Sequence, residues 1–246
     1  GPLAQAAGHD MNYIALAGAL HGIGRADQPP TPPLNLVGDY GGGSMYLVFG
    51  ILSALYERST SEKGQVVDAA IVDGTASLMT VFAGMYKQGL MTYERGKNVI
   101  DSGAHFYDVY QCLDGEWISL GPIEPKFQKL MLAALEIEYD DLDATYHREN
   151  WAGLKAQIAA RIAEKTQAEW NEILEGTDCC YAPVLSLEDA ARHPHNRARG
   201  TFIDVAGVMQ PAPAPRFSRS SPDPIRPPVK QTPEKDEETI RNWLTG

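Results

Sequence analysis

The strongest local constraint on the fold of this 246-residue chain is a hairpin signal in its middle. Residues 106–112 (FYDVYQC) alternate in the way that is typical of a strand. Residues 113–116 (LDGE) follow, and their Asp-Gly pair supplies the positive φ that a tight hairpin turn needs. The return strand is predicted at 117–120 (WISL). The sequence therefore predicts a β-hairpin over residues 106–120.

The residues after the hairpin continue with helical patterns and then one more strand. The predicted helices cover about 125–135, 150–164, 166–175 and 187–192, and the predicted strand covers 181–185. Together with the hairpin, these elements predict a small α+β domain over residues 105–192.

The sequence before the hairpin predicts part of a larger domain over residues 1–86, followed by a linker at 87–104. The predicted elements are a helix at 10–20, a Gly/Pro-rich loop at 22–34, a buried helix at 44–58, and a strand turning into a long helix over 66–86. The small residues near Gly74 permit close packing of that last helix.

The sequence after the small domain predicts a second linker at 193–214 and a C-terminal return to the large domain at 215–246. Proline is frequent from Gln210 onward, which favours an extended path. A charged helix is predicted over 234–244. The fold class expected for the chain is α/β, with part of a large domain and a small α+β domain.

Charge and hydropathy exclude several classes of function. The net charge of −11 and pI near 5.0 argue against a nucleic-acid surface. The longest apolar run, Met45 to Leu55, is shorter than the ~20 residues that a membrane-spanning helix needs. We expect no membrane association and a cytoplasmic location. The three cysteines show no CxxC spacing, and we expect no metal site.

Three residues with acid–base chemistry stand near glycines or predicted helix starts. His9 has the imidazole pKa range that suits general acid–base work, although a lone histidine is more often a surface or core residue. Asp39 and Glu124 read equally well as helix caps. Tyr13 lies one turn after His9 and either contacts a ligand or fills core. The glycines at 41–43 either form an anion-binding nest or allow a close backbone approach.

Four segments resemble the α-methylacyl-CoA racemases of the class III CoA-transferase (CaiB/BaiF) family. They are residues 8–13 (GHDMNY), 35–44 (NLVGDYGGGS), 62–70 (EKGQVVDAA) and 214–218 (APRFS). The resemblance runs over essentially the whole chain, and the motifs are specific in combination. Members of the family begin with a nucleotide-fold segment of more than a hundred residues, so the resemblance implies that the N-terminal third is missing from this chain.

The resemblance also implies roles for individual residues. His9 and Asp39 correspond to the two catalytic bases, and Glu124, in residues 121–125 (GPIEP), corresponds to the glutamate that pairs with the histidine. The substrate and CoA-binding positions implied are Gly8, Asp10, Tyr13 and Gly38. The family forms interlocked homodimers, with each active site between the large domain of one subunit and the small domain of its partner.

The expected function is racemisation of 2-methyl-branched acyl-CoA thioesters by two-base proton transfer through an enolate. No cofactor is expected beyond the CoA moiety of the substrate. Two alternatives stay open. In a class III CoA-transferase, Asp39 would be a nucleophile that accepts the acyl group. A truncated chain could also be a non-catalytic assembly piece.

Overall fold

The computed structural model describes residues 1–220, 222–227, 237 and 240–244. The chain divides into two compact units, Gly1–Val184 and Leu185–Gly246. The mixed helix and strand content agrees with the α/β expectation. The predicted domain boundaries at 86, 104, 192 and 214 remain predictions.

The first part of unit 1 is helical. Its elements are α1 (Asp10–Leu16), a π-helix (Leu36–Ser44), α2 (Met45–Ser61), α3 (Ile71–Leu78) and α4 (Thr80–Lys87), with 3-10 turns at Leu20–Gly22 and Val99–Asp101. The helix predicted at 10–20 stops at Leu16, and Gly18 follows with a φ of 84° that no α-helix accepts. The helix predicted at 44–58 is confirmed as α2, but the predicted burial is wrong, because none of its residues is buried in the described chain.

The strand predicted to begin at Val66 is wrong. Among the described residues no strand covers this segment, and the side chain of Val66 is 93% exposed. A strand needs a neighbour to satisfy its backbone groups, and the described residues provide none here. The long helix predicted up to Tyr86 is two helices, because Met79 leaves helical geometry with ψ at 0°.

The second part of unit 1 contains a three-stranded antiparallel sheet in the order β1-β2-β3, and this confirms the predicted hairpin. The strands are β1 (Asp108–Gln111), β2 (Trp117–Leu120) and β3 (Tyr181–Val184), and Asp108 pairs with Leu120. Gly115 adopts the expected positive φ of 87° in the turn. Helices α5 (Pro125–Ala134), α6 (Arg148–Ile162) and α7 (Gln167–Leu174) follow, with a 3-10 turn at Asp143–Tyr146 between α5 and α6.

The sheet and these three helices enclose the main hydrophobic core of the described chain. Ile118, Leu132, Ile158 and Trp170 are completely buried within it. The helical part of unit 1 has little core of its own. Helix α2 has no buried residue among its 17 positions, and large apolar side chains are exposed along it: Met45, Leu47, Val48, Phe49, Ile51, Leu52, Leu55 and Tyr56.

A buried carboxylate ties the loop after α1 to the sheet. Asp108, on β1, is 4% exposed at its side chain and accepts from Arg25 at 2.5 Å and from Lys155 of α6 at 2.8 Å. Because both cations reach one buried carboxylate, removing either leaves charge poorly compensated. This cluster therefore fixes the Gly/Pro-rich loop on the small sheet.

Unit 2 contains helices α8 (Leu187–Arg192) and α9 (Pro194–Arg199) and a hairpin of β4 (Phe202–Val205) and β5 (Val208–Pro211). The hairpin and α9 lie inside the range predicted as a linker. Ala206 and Gly207 form its turn, and both have positive φ. Of the helix predicted at 234–244, the structure describes residues 237 and 240–244, and these are helical.

No helix in the described ranges has the length and apolarity that crossing a membrane demands.

A buried histidine fixes α5 against the neighbouring turn. Gln128 of α5 lies with its amide nitrogen 2.7 Å from Nε2 of His105, and the hydroxyl of Thr145 donates to the Gln128 amide oxygen at 3.2 Å. His105 is completely buried. Burial, assisted by the charge of Lys155, lowers the pKa of His105 to about 4. The ring is therefore neutral in the folded chain.

We expect His105 to make the stability depend on pH. The unfolded chain protonates His105 near pH 6.5 and the folded chain only near 4. The contribution of neutral His105 to the free energy of unfolding is therefore fully present above pH 6.5. It falls by roughly 3 kcal/mol as the pH is lowered from 6.5 to 4. Urea unfolding across this range, compared between the wild type and His105→Gln, measures it. Parallel curves for the two proteins would contradict the assignment.

Candidate active site

The loop before α1 is closed by a tyrosine. The hydroxyl of Tyr13 donates to the carbonyl oxygen of Gly8 at 2.9 Å, and its ring lies so close that a Cβ on Gly8 would be 3.2 Å from it. The backbone N–H of His9 donates to the side chain of Asn12 at 3.0 Å. These contacts fix the backbone on both sides of the His9 ring, which is itself exposed.

Asp39 lies in the π-helix, where two groups hold it. Its backbone N–H donates to Oδ1 of Asp10 at 2.6 Å, and Nδ2 of Asn35 donates to its Oδ2 at 3.3 Å. Sequence reasoning missed Asn35. The signal was its spacing of four residues from Asp39, which brings an amide and a carboxylate together on one helix face.

The glycines after Asp39 serve close packing. The φ angles of residues 41–43 are not positive, so the backbone does not form the alternating nest that binds anions. Instead, a Cβ on Gly74 of α3 would lie 1.8 Å from the carbonyl oxygen of Gly42. A Cβ on Gly42 would lie 2.4 Å from the hydroxyl of Thr75. The π-helix and α3 therefore touch backbone to backbone.

Glu124 lies apart from these residues. It is the exposed N-cap residue of α5, and in the described ranges no hydrogen bond or ion pair joins it to His9. The hydroxyl of Tyr146 donates to the carbonyl oxygen of Ile123 at 2.9 Å and fixes the residue before it. Burial raises the pKa of Tyr146, and the negative charge of Glu124 adds to that rise. The pairing of His9 with Glu124 stays a prediction.

An apolar cavity of about 320 Å³ lies beside the Asp39 segment. Val37, two residues before Asp39, forms part of its wall, and Asp101 is its one charged lining residue. The other large side chains that line it are apolar or aromatic and come from α3, α4 and the segments around them: Ile23, Leu78, Met79, Phe82, Tyr86, Met91 and Ile100. The cavity fits an apolar chain rather than a charged group.

The described part of the chain contains no cluster of three or more His, Cys, Asp or Glu side chains that could hold a metal ion. The His9 and Asp39 segments bring an imidazole and a carboxylate onto two adjoining parts of the chain. The structure brings Asp10, Gly38 and Asp39 into contact, with His9 next in sequence to Asp10.

Comparison with known proteins identifies the family. The profile of CoA-transferase family III matches residues 1–239. The chain belongs to this family. It is 43% identical over 241 residues to α-methylacyl-CoA racemase of Mus musculus, covering 98% of this chain and 62% of the relative. It is 41% identical over 234 residues to the Homo sapiens racemase, covering 95% of this chain and 60% of the relative.

This chain also has the same fold as a solved structure. The CAIB/BAIF family protein from Brucella suis superposes with a TM-score of 0.77 at 22% identity, over 99% of this chain and 65% of that chain. The chain thus spans about three fifths of the length of the curated racemases that it matches.

The contact between the π-helix and α3 can be tested with one methyl group. We expect Gly74→Ala to destabilise the fold by about 3 kcal/mol, because the new Cβ overlaps the backbone oxygen of Gly42. Gly84→Ala is the matched control. Gly84 is also helical, but open space surrounds its Cβ position, and alanine should stabilise α4 by up to about 1 kcal/mol. Equal melting temperatures for the two variants would contradict the packing role.

Proposed function

We propose that the protein racemises 2-methyl-branched acyl-CoA thioesters by transfer of the α-proton between two bases. The observation that carries the proposal is the bond between Asp39 N–H and the Asp10 carboxylate, which places the His9 and Asp39 segments against each other. The identity of 41–43% to the two racemases supports the same reaction.

The proposed reaction needs one base on each face of the α-carbon. In one direction, His9 removes the α-proton and Asp39 in its acid form supplies a proton to the opposite face. In the other direction the roles are exchanged. Between the two steps the thioester carbonyl carries the charge of an enolate, and the backbone N–H of Asp10 is the donor that we assign to it. The apolar cavity behind Val37 would take the branched acyl chain.

We further propose that the site is completed in an interlocked homodimer. Among the described residues no hydrogen bond or ion pair joins Glu124 to His9, and we propose that the expected His9–Glu124 pair forms with the small domain of a second copy. The exposed apolar length of α2 supports burial in a larger assembly. The CoA moiety of the substrate is the only cofactor group that the reaction uses, and a cytoplasmic location stays a prediction.

The reaction is tested in deuterated water by exchange of the α-hydrogen with inversion of the α-carbon, measured by NMR and chiral chromatography on the protein expressed from its complete coding sequence. We expect Asp39→Asn and His9→Gln each to reduce this exchange with inversion by about 100-fold or more, because inversion needs one proton carrier on each face of the α-carbon. Asp140→Asn, an exposed aspartate far along the sequence, is the matched control and should keep full exchange.

Full exchange in Asp39→Asn would refute the two-base mechanism.

The family also supports a rival reaction, acyl transfer. There the Asp39 carboxylate would attack the thioester carbonyl, the CoA thiolate would leave, and a mixed anhydride would remain on Asp39. Hydroxylamine would convert that anhydride to a hydroxamate. A mass spectrum that locates the adduct on Asp39 would favour transfer over racemisation.

Assembly is a separate expectation. Size-exclusion chromatography with light scattering should give a mass of two chains, and CoA should raise the melting temperature by mass action. A monomer whose melting temperature does not change when CoA is added would support the interpretation of this chain as a non-catalytic assembly piece.

A further inference from the structure

We infer that the side chain of Asp10 is a positioning residue that sets the place of Asp39 relative to His9, and this inference rests on the proposed function. Asp10 is the residue after His9, yet its side chain points inward and the residue is only 8% exposed. Its carboxylate contacts the Asp39 segment and is withdrawn from solvent. The side chain therefore acts on Asp39 and is separate from the backbone N–H assigned to the enolate.

The bond caps the π-helix from another part of the chain. N–H groups in the first turn of a helix lack an acceptor within that helix, and Asp39 lies in the first turn of Leu36–Ser44. Oδ1 of Asp10 supplies the missing acceptor at 2.6 Å. A carboxylate near a helix N-terminus is also electrostatically favourable. This hydrogen bond thus satisfies the backbone N–H of Asp39, which is one proposed base. Its acceptor is Asp10, which follows His9, the other proposed base, in sequence.

The spacing of this contact is set by Gly38. A Cβ at position 38 would lie 2.1 Å from Oδ1 and 2.7 Å from Cγ of Asp10, and 2.9 Å from Cγ2 of Ile14. No side chain fits between the two segments. The Asp10 carboxylate therefore lies directly against the backbone of Gly38, and the length of the Asp10 side chain sets the separation of the π-helix from α1.

The second oxygen of Asp10 shows that the contact is specific. Oδ2 is buried and has no hydrogen-bond partner among the residues that the structure describes. A buried carboxylate oxygen without a partner costs free energy that a residue chosen for stability alone would avoid. We attribute its retention to Oδ1, whose reach places Asp39.

Three substitutions at Asp10 separate length from charge. Asp10→Asn keeps the length and the acceptor oxygen, so it should keep kcat within about threefold. Asp10→Ala removes the acceptor, and Asp10→Glu keeps the charge but is one methylene too long. Asp10→Ala and Asp10→Glu should each lower kcat for α-hydrogen exchange by about 100-fold, which is the effect expected when a catalytic group is misplaced by about 1 Å. KM should stay within about threefold in all three variants, because the inference places the Asp10 side chain against the Asp39 segment and assigns it no part in binding substrate.

A double-mutant cycle tests the contact with Gly38. Gly38→Ala should lower kcat in the wild type, since its Cβ displaces the Asp10 carboxylate. In the Asp10→Ala background the carboxylate is gone, and the same change should lower kcat less. The two effects should therefore fail to add.

Hydrogen exchange of the Asp39 amide gives a readout that needs no activity. The amide should be protected in the wild type and in Asp10→Asn, and it should lose protection in Asp10→Ala. If Asp10→Ala fails to fold, the comparison of Asp10→Asn with Asp10→Glu still decides.

Two results would overturn the inference. One is Asp10→Asn as inactive as Asp10→Ala, which would assign the role to charge. The other is full kcat in Asp10→Ala while Asp39→Asn is inactive, which would refute the positioning role and leave the proposed function intact. Full exchange in Asp39→Asn refutes the function instead, whereas amide protection reports on the contact in either case.

Discussion

The candidate site depends on a backbone contact between Gly42 of the π-helix and Gly74 of α3. With the carbonyl of one glycine against the Cα of the other, the two helices reach a separation that side chains at these positions would prevent. Four residues earlier in the π-helix, Gly38 lies against the Asp10 side chain. Asp39 therefore lies in a segment that contacts two neighbouring helices, and its position follows from glycines that have no chemistry of their own.

Local signals in the sequence predicted the central hairpin and the helices α5 to α7 well. The Asp-Gly turn and the strands beside it need only their own residues, and helices α5 to α7 have apolar faces that the sheet covers. The sequence could not predict that α9 and the hairpin β4–β5 occupy residues expected to be a linker. The strand expected at Val66 failed for the opposite reason, because its residues have strand character but the described chain offers no strand to pair with.

The site was predicted in part. The motifs located His9, Asp10 and Asp39, but only coordinates could show that the Asp10 side chain points inward to the Asp39 amide. The glycine run left two interpretations open, and the negative φ angles decide for close packing. Glu124 is the remaining case. Its place at the start of α5 is clear, whereas its pairing with an imidazole stays a prediction.

The exposed apolar surface of α2 has a practical consequence for work in solution. A 17-residue helix without a buried position presents hydrocarbon to water along its entire length. Such a surface binds detergents, dyes and other apolar molecules. Samples of this chain by itself would therefore bind fluorescent hydrophobic probes before any heating, and a dye-based melting curve would begin from a high baseline.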